Sequence, residues 1–339
     1  MGIRNPRTGT KAALLPAAAL AACALLCAAP AAGRRAGGPR PSAADAQAGS
    51  PAAPARGLKR TASHGGVTFT YDASLASAVK GEDAPAGVCG KPGDVMPPHV
   101  AFTFADYPKP HASPFMSPPE IQVFPVAEYR RALAECQKER AAKSRPPSPI
   151  YLSDFDDGVR TLKSLNAARP APRSLRAWLR KHRGRDYLKT RMPFVPMYDV
   201  GEMFRARVTY LDFRGGRGVA FVTQYVNEDT TASNQALTYV FQGLTDDGRF
   251  YVSAAFPVAA PFLPADFSEE EAATHGLDYR EGMFTPAFRR NHAAHKARTA
   301  RRLEALAPSD YRPGLGPLGE LLRSLDVRPE SANSSTGVR

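Results

Sequence analysis

No signature of a known reaction stands in this chain. It has no Gly-x-Ser-x-Gly nucleophile elbow, no His-Glu-x-x-His pair, no P-loop and no Rossmann fingerprint. Those absences set aside the common serine-hydrolase, zinc-protease and nucleotide-binding plans. They leave room for an active site assembled from distant loops. Tandem repeats, heptad arrays and Gly-X-Y periods are missing too, which excludes solenoid, coiled-coil and collagen architectures. Cysteine is scarce, with 4 in 339 residues, and there is 1 Trp. Acidic residues are short: 32 Asp+Glu stand against 45 Lys+Arg, a formal net charge of +13. Hydrophobic content is ordinary at 43%, so the chain is not wholly disordered. Its length admits one large or two small domains. Arg outnumbers Lys 34 to 11. That bias also accompanies GC-rich coding, so part of the basicity needs no functional reading.

The N-terminal stretch reads as an export signal. Arg4, Arg7 and Lys11 make a basic start, and an Ala/Leu run from Ala12 to Ala32 follows, broken by Pro16 and Pro30. A transmembrane anchor is the weaker reading, because Ala contributes little to insertion. Leu20-Ala21-Ala22-Cys23 resembles the bacterial lipobox, in which the Cys thiol accepts a lipid and becomes the mature N-terminus. The competing exit is ordinary cleavage after Ala31, with Ala29 and Ala31 as the small pair. The expectation is residues 1–22 as signal and Cys23 as the lipidated residue. The chain is then exported and anchored to the bacterial cell membrane, with a soluble secreted or periplasmic form as the alternative. Met1-Gly2 is not a myristoylation start, because Pro6 stands where Ser or Thr is needed.

Export changes what the charge can mean. A basic cytoplasmic protein would point to nucleic acid. Outside the membrane the expected partners are an anionic membrane surface or an envelope polymer, with no nucleic acid and no cofactor. An oxidising compartment also favours a disulfide, and Cys89 with Cys136 are the cysteines left in the folded part. The bases are concentrated. Residues 173–191 hold eight Lys or Arg and one acid, Asp186, and Arg289 to Arg302 adds six bases and no acid. Arg176, Arg180, Lys181, Arg183 and Arg185 are the candidate contacts to an anionic surface, with Trp178 as an apolar edge. A solvated insertion is the plainer reading of 173–191. Nucleic-acid binding would need aromatic residues interleaved with the bases, and only Trp178 and Tyr187 lie there.

Composition divides the rest. Residues 23–62 read as a disordered tether, 33–62 being mostly Ala, Pro, Gly, Ser and Arg with almost no large apolar side chain, and 329–339 form a polar tail. Between them, 63–328 reads as a single α+β domain: an antiparallel β-meander with flanking helices, carrying 173–191 as an insertion. Strands are expected at Val67–Tyr71, His99–Phe104 and Ile121–Phe124. A helix is expected from Ala127 to Ala142, with Tyr129, Leu133 and Cys136 on its inner face. Ser153 to Asp156 approximates a capping box opening a helix with Phe155, Val159 and Leu162 inward. Arg205–Phe213 pairs with Val219–Val226 around Gly215-Gly216-Arg217-Gly218. Leu237–Leu244 pairs with Arg249–Val258 around Asp247-Gly248. An even-length connection sets Phe241 opposite Ala254 and Tyr239 opposite Phe256; a one-residue slip would put apolar side chains opposite polar ones. One face of this meander is expected on the core. Ser268 and Thr285-Pro286 open two further helices, the second with Phe288, His292, His295, Leu303 and Leu306 inward. Leu315 to Leu325 forms the last.

Candidate chemistry is sparse. His292 and His295 at i, i+3 could share a metal, but their place on an inner stripe favours a role in packing or hydrogen bonding, so no metal is expected. Asp154, Asp156 and Asp157 resemble a calcium loop without its spacing, and a helix start explains them better. Asp246 and Asp247 could act as paired carboxylates, but turn chemistry accounts for both. Gln224, Asn234 and Gln242, on or beside strands, could line a ligand groove; more often such residues satisfy strand ends or face solvent.

One run carries a resemblance. Tyr210-Leu211-Asp212-Phe213, Thr223-Gln224-Tyr225, Asn234-Gln235 and Tyr239-Val240-Phe241-Gln242-Gly243-Leu244-Thr245-Asp246-Asp247-Gly248-Arg249-Phe250-Tyr251-Val252-Ser253 follow one another, closed by Pro257, Pro261 and Leu263-Pro264. The run is similar to a group of uncharacterised bacterial secreted proteins and lipoproteins, in outline over 63–328 and specifically over 202–264; the segment 173–191 departs from it. The resemblance implies export and a β-rich domain and no particular activity. A fainter likeness to PsbP-type lipoprotein domains rests on an antiparallel sheet and a late helix ending in Ser324-Leu325. The combined expectation is a non-catalytic envelope-associated or extracytoplasmic binding module. An extracytoplasmic hydrolase with an unrecognised site is the alternative.

Overall fold

The longest apolar runs build the centre of the molecule. A computed structural model describes residues 57–87, 89, 95–108, 118–143, 152–167, 201–226, 230–277, 279 and 285–328, all within one unit, Ala53–Arg339. The lipobox with Cys23 and the signal and tail segments lie outside the described residues. So does the basic stretch 173–191 with Arg176, Arg180, Lys181, Arg183 and Arg185.

Eleven strands are described: β1 (Lys59–His64), β2 (Val67–Asp72), β3 (Ala78–Ala84), β4 (His99–Ala105), β5 (Glu120–Pro125), β6 (Gly201–Glu202), β7 (Ala206–Phe213), β8 (Gly216–Val226), β9 (Leu237–Thr245), β10 (Phe250–Pro257) and β11 (Asp326–Val327). Eight of them form one antiparallel sheet, in the order β3-β4-β5-β10-β9-β8-β6, with β7 also paired to β8. A smaller sheet has the order β1-β2-β11. The described α-helices are α1 (Val126–Ala142), α2 (Leu152–Ala167), α3 (Glu269–Thr274), α4 (Pro286–Ala305) and α5 (Leu315–Arg323). The α+β class is as the patterning implies.

The β9–β10 register follows the apolar faces. Phe241 lies opposite Ala254 and Tyr239 opposite Phe256. The connection is a four-residue loop, Asp246 to Arg249. Gly248 sits at φ 70°, where other residues are strained, and its N–H donates to the Thr245 carbonyl at 2.8 Å. The Asp247 carboxylate accepts from the Thr245 hydroxyl at 2.6 Å and from the Arg249 N–H at 2.9 Å. Those bonds hold its pKa below the usual carboxylate value.

The large sheet is covered on both faces, where the sequence reading expected one. Every residue of β9 is buried, and alternate side chains enter two different clusters. Leu237, Tyr239 and Phe241 join Phe69, Phe256, Leu318 and Leu322 beneath β1, β2 and α5. Val240 and Leu244 join Tyr129, Leu133, Phe155, Val159 and Leu162 of α1 and α2. Tyr129 stacks on Phe155 with ring centroids 4.6 Å apart. A nine-residue run with no exposed position is the mark of a strand buried on both sides.

Other boundaries moved. β1 begins at Lys59, inside the expected tether, because pairing with β2 orders four residues whose composition alone reads as linker. β3 had no sequence signal. β8 begins at Gly216, so Gly216 to Gly218 of the expected turn are strand, and only Arg214-Gly215 connects β7 to β8. α2 starts at Leu152, one residue ahead of the proposed cap at Ser153. The other caps form as expected: Ser268 Oγ accepts from Glu271 N–H at 3.3 Å and Thr285 Oγ1 from Phe288 N–H at 3.1 Å. Cys89 and Cys136 are bonded as a disulfide with Cα atoms 5.3 Å apart, tying the segment before β4 to the inner face of α1.

Candidate functional site

The three polar residues considered for a ligand groove are interior. Gln242 is fully buried on β9, directly across from Ser253 of β10. Its Nε2 donates to Ser253 Oγ at 3.1 Å, and the Tyr251 hydroxyl donates to its Oε1 at 2.6 Å. Burial keeps Tyr251 protonated far above the ordinary phenol range. Gln224 of β8 and Asn234 together hold the loop 230–236. Gln224 Nε2 donates to the Thr231 carbonyl at 3.2 Å, and Ser233 N–H donates to Gln224 Oε1 at 3.1 Å. Asn234 Nδ2 donates to the carbonyls of Ala260 at 3.1 Å and Leu263 at 2.9 Å, while Ala260 N–H donates to Asn234 Oδ1 at 2.8 Å. An amide is suited to this task because it offers donors and an acceptor at one point.

Two histidines of α4 complete the same clasp. His292 Nε2 lies 2.9 Å from the Thr230 carbonyl and donates to it. His295 Nε2 accepts from Ala232 N–H at 3.2 Å, so its proton sits on Nδ1. His275, just after α3, lies against His295 with ring centroids 4.8 Å apart; nothing in its sequence neighbourhood marked it. Among the described residues no group of three His, Cys, Asp or Glu is arranged to hold a metal ion.

Burial, with His275, Arg298 and His292 nearby, pushes the His295 pKa down to about 4 from 6.5. The unfolded chain therefore binds a proton that the fold refuses between those values. The stabilisation is complete above pH 6.5 and is lost as pH falls toward 4. The two values convert to at most about 3.4 kcal/mol, and screening near the surface reduces the expected loss to about 2 kcal/mol. Urea denaturation at pH 7 and pH 4.5 should show this loss in the wild type beyond that in His295→Gln; equal losses in both would refute it.

The remaining sequence candidates are spoken for locally. Asp156 pairs with Arg130, and Asp157 with Arg160 at 2.7 Å. Asp246 lies 3.5 Å from Arg217. Gly314, Gly316 and Gly319 do carry a Gly-x-Gly-x-x-Gly spacing that the motif reading passed over. Here it follows a 3-10 turn, Pro308–Asp310, and a single bridge between Ala259 and Arg312. A dinucleotide site needs a strand of a parallel sheet in that place.

The outward surface of α4 is the strongest charge feature. Phe288, His292, His295, Thr299 and Leu303 form its buried stripe. Arg289, Arg290, Arg298, Arg301 and Arg302 are exposed and Lys296 half-buried. Arg302 stacks over Phe262 at 3.8 Å from the ring centroid. None of the six bases forms an ion pair among the described residues, whereas Lys59, Lys80, Arg205 and Arg217 do. No described helix is long and apolar enough to cross a membrane. Comparisons with family models, with curated proteins and with solved structures find no match for this chain.

Proposed function

We propose that this protein is an exported, non-catalytic binding module that meets an anionic lipid surface through the outer face of α4. The observation that carries the reading is six bases on one twenty-residue helix with no acidic partner among the described residues. Bases with no acidic partner among the described residues are available to lipid phosphates, each worth about 1 kcal/mol near such a surface. The Cys89–Cys136 bond supports an oxidising compartment, in keeping with the expected export signal and with the resemblance of the 202–264 run to secreted proteins and lipoproteins. The basic stretch 173–191 is a second contact in this reading.

Co-sedimentation with vesicles tests it. Binding is expected to phosphatidylglycerol-containing vesicles, not to pure phosphatidylcholine, and to weaken as salt shortens the Debye length. Changing Arg289, Arg290, Arg298 and Arg301 to Gln should lower the partition coefficient at least about tenfold, and deleting 173–191 should lower it further. Absent or salt-insensitive binding would sink the proposal.

A further inference from the structure

A second cationic place lies on the other side of the sheet from α1 and α2, where β7, β9 and α5 meet. Tyr239 of β9 is 4% exposed, and its hydroxyl meets no hydrogen-bond partner among the described residues. Its oxygen is not enclosed with the ring: it stays open to solvent, and so to a ligand, at the edge of the core. α5 approaches the hydroxyl at a residue with no side chain. A Cβ placed on Gly319 would lie 3.9 Å from the Tyr239 hydroxyl and 3.4 Å from Arg323 Nη1. A glycine inside a helix sacrifices stability relative to alanine, and here its bare Cα faces a hydroxyl and a guanidinium. Arg323 makes no ion pair among the described residues.

Arg207 adds the second charge. It sits at φ 55°, left-handed for a residue that is not glycine, where β7 bulges between Ala206 and Thr209. Ala206 pairs with Val222 and Val222 with Tyr239, which sets the bulge in the same row as the phenol. Bulges and left-handed non-glycine residues gather where a strand re-aims a side chain at a ligand. The conformation is held by the Glu304 carboxylate, which accepts from Arg207 N–H at 2.6 Å, while Arg207 Nη1 donates to the Glu304 carbonyl at 3.3 Å. Glu304 is thus occupied by the strand it anchors, and Asp310 accepts from Ala307 N–H at 2.8 Å. Burial pushes the Tyr239 pKa up to about 12 despite the pull of Arg323 and Arg207, so at neutral pH the phenol is a donor.

We propose that the Tyr239 hydroxyl, Arg323 and Arg207 bind a phosphate group over the bare face of Gly319. Guanidinium forks match phosphate oxygens in geometry and charge, and the Tyr239 hydroxyl supplies a third donor. This goes beyond the vesicle reading, which rests on α4 and not on these residues, so either can fail alone.

Isothermal titration of the full chain with inorganic phosphate, against matched chloride, is the test. Saturable binding is expected. Tyr239→Phe should weaken it about tenfold, as the loss of one hydrogen bond to a charged group does, and Arg323→Gln at least as much. Gly319→Ala should fold as well as the parent or better, yet lose affinity by about tenfold or more because the methyl fills the space. Vesicles of phosphatidic acid and of phosphatidylglycerol at equal charge separate the sources. A Tyr239-dependent preference for phosphatidic acid assigns the site to a lipid headgroup, and phosphate binding without that preference assigns it to free phosphate. No saturable phosphate binding, or equal affinity in the parent and Tyr239→Phe, overturns the proposal.

Discussion

Replacing Cys89 and Cys136 with serine is expected to lower the unfolding free energy by about 4 kcal/mol, the figure for closing a loop of this size in the unfolded chain. The bond spans 47 residues. That stretch contains β4, β5 and the first turns of α1, so the crosslink restricts the unfolded state across much of one half of the sheet. In the fold it fixes the inner face of α1, whose Tyr129 and Leu133 cover the side of the sheet away from α5. Urea denaturation of the oxidised protein, the reduced protein and the double serine variant measures the effect. The last two should coincide and lie well below the first. A difference under about 1 kcal/mol would mean that the bond adds little to a segment already ordered without it.

Asn234→Ala should destabilise by about 3–4 kcal/mol. Three side-chain bonds at 2.8 to 3.1 Å disappear; the buried Ala260 N–H and the half-buried Leu263 carbonyl lose the partner Asn234 gave them, and the Ala260 carbonyl keeps only the Leu263 N–H at 3.2 Å. Asn234→Asp should be at least as damaging, although it is the smaller change in shape. It keeps the acceptor for Ala260 N–H but turns a donor into an oxygen facing two carbonyls. Equilibrium unfolding of both variants decides between the readings of this residue. If Asn234→Ala unfolded like the parent but changed the binding of a ligand, Asn234 would be a recognition residue and not a clasp.

The residues behind these predictions differ in how much the sequence could say of them. The β9–β10 register was legible because side chains alternate with period two, and a one-residue slip would have put Phe256 opposite Thr238. The caps at Ser268 and Thr285 were legible because each bond closes within three residues. The inner stripe of α4, from Phe288 to Leu303, followed from helical spacing alone. By contrast, Lys59 to Ala62 and Ala78 to Ala84 are polar segments that become strands only because β2 and β4 offer them a ladder. Gln224, Asn234 and Gln242 could be marked as unusual, but not assigned. A buried amide and an amide in a groove have the same sequence, and the choice lies with whichever backbone groups the fold brings opposite them.

The division follows from range. Features whose energy comes from residues a few positions apart, such as turn, cap, stripe and hairpin register, were determined by the sequence itself. What only the tertiary structure decided were contacts between segments remote along the chain. The clearest are the second layer of α1 and α2 over the sheet and the return of β11 to β2. To these belong the clasp of Gln224, Asn234, His292 and His295 on one loop, and the approach of Tyr239 and Arg323 to Gly319. Burial and hydrogen-bond satisfaction are properties of the packed whole, so the same polar residue reads alike in sequence whether it closes the interior or waits for a ligand.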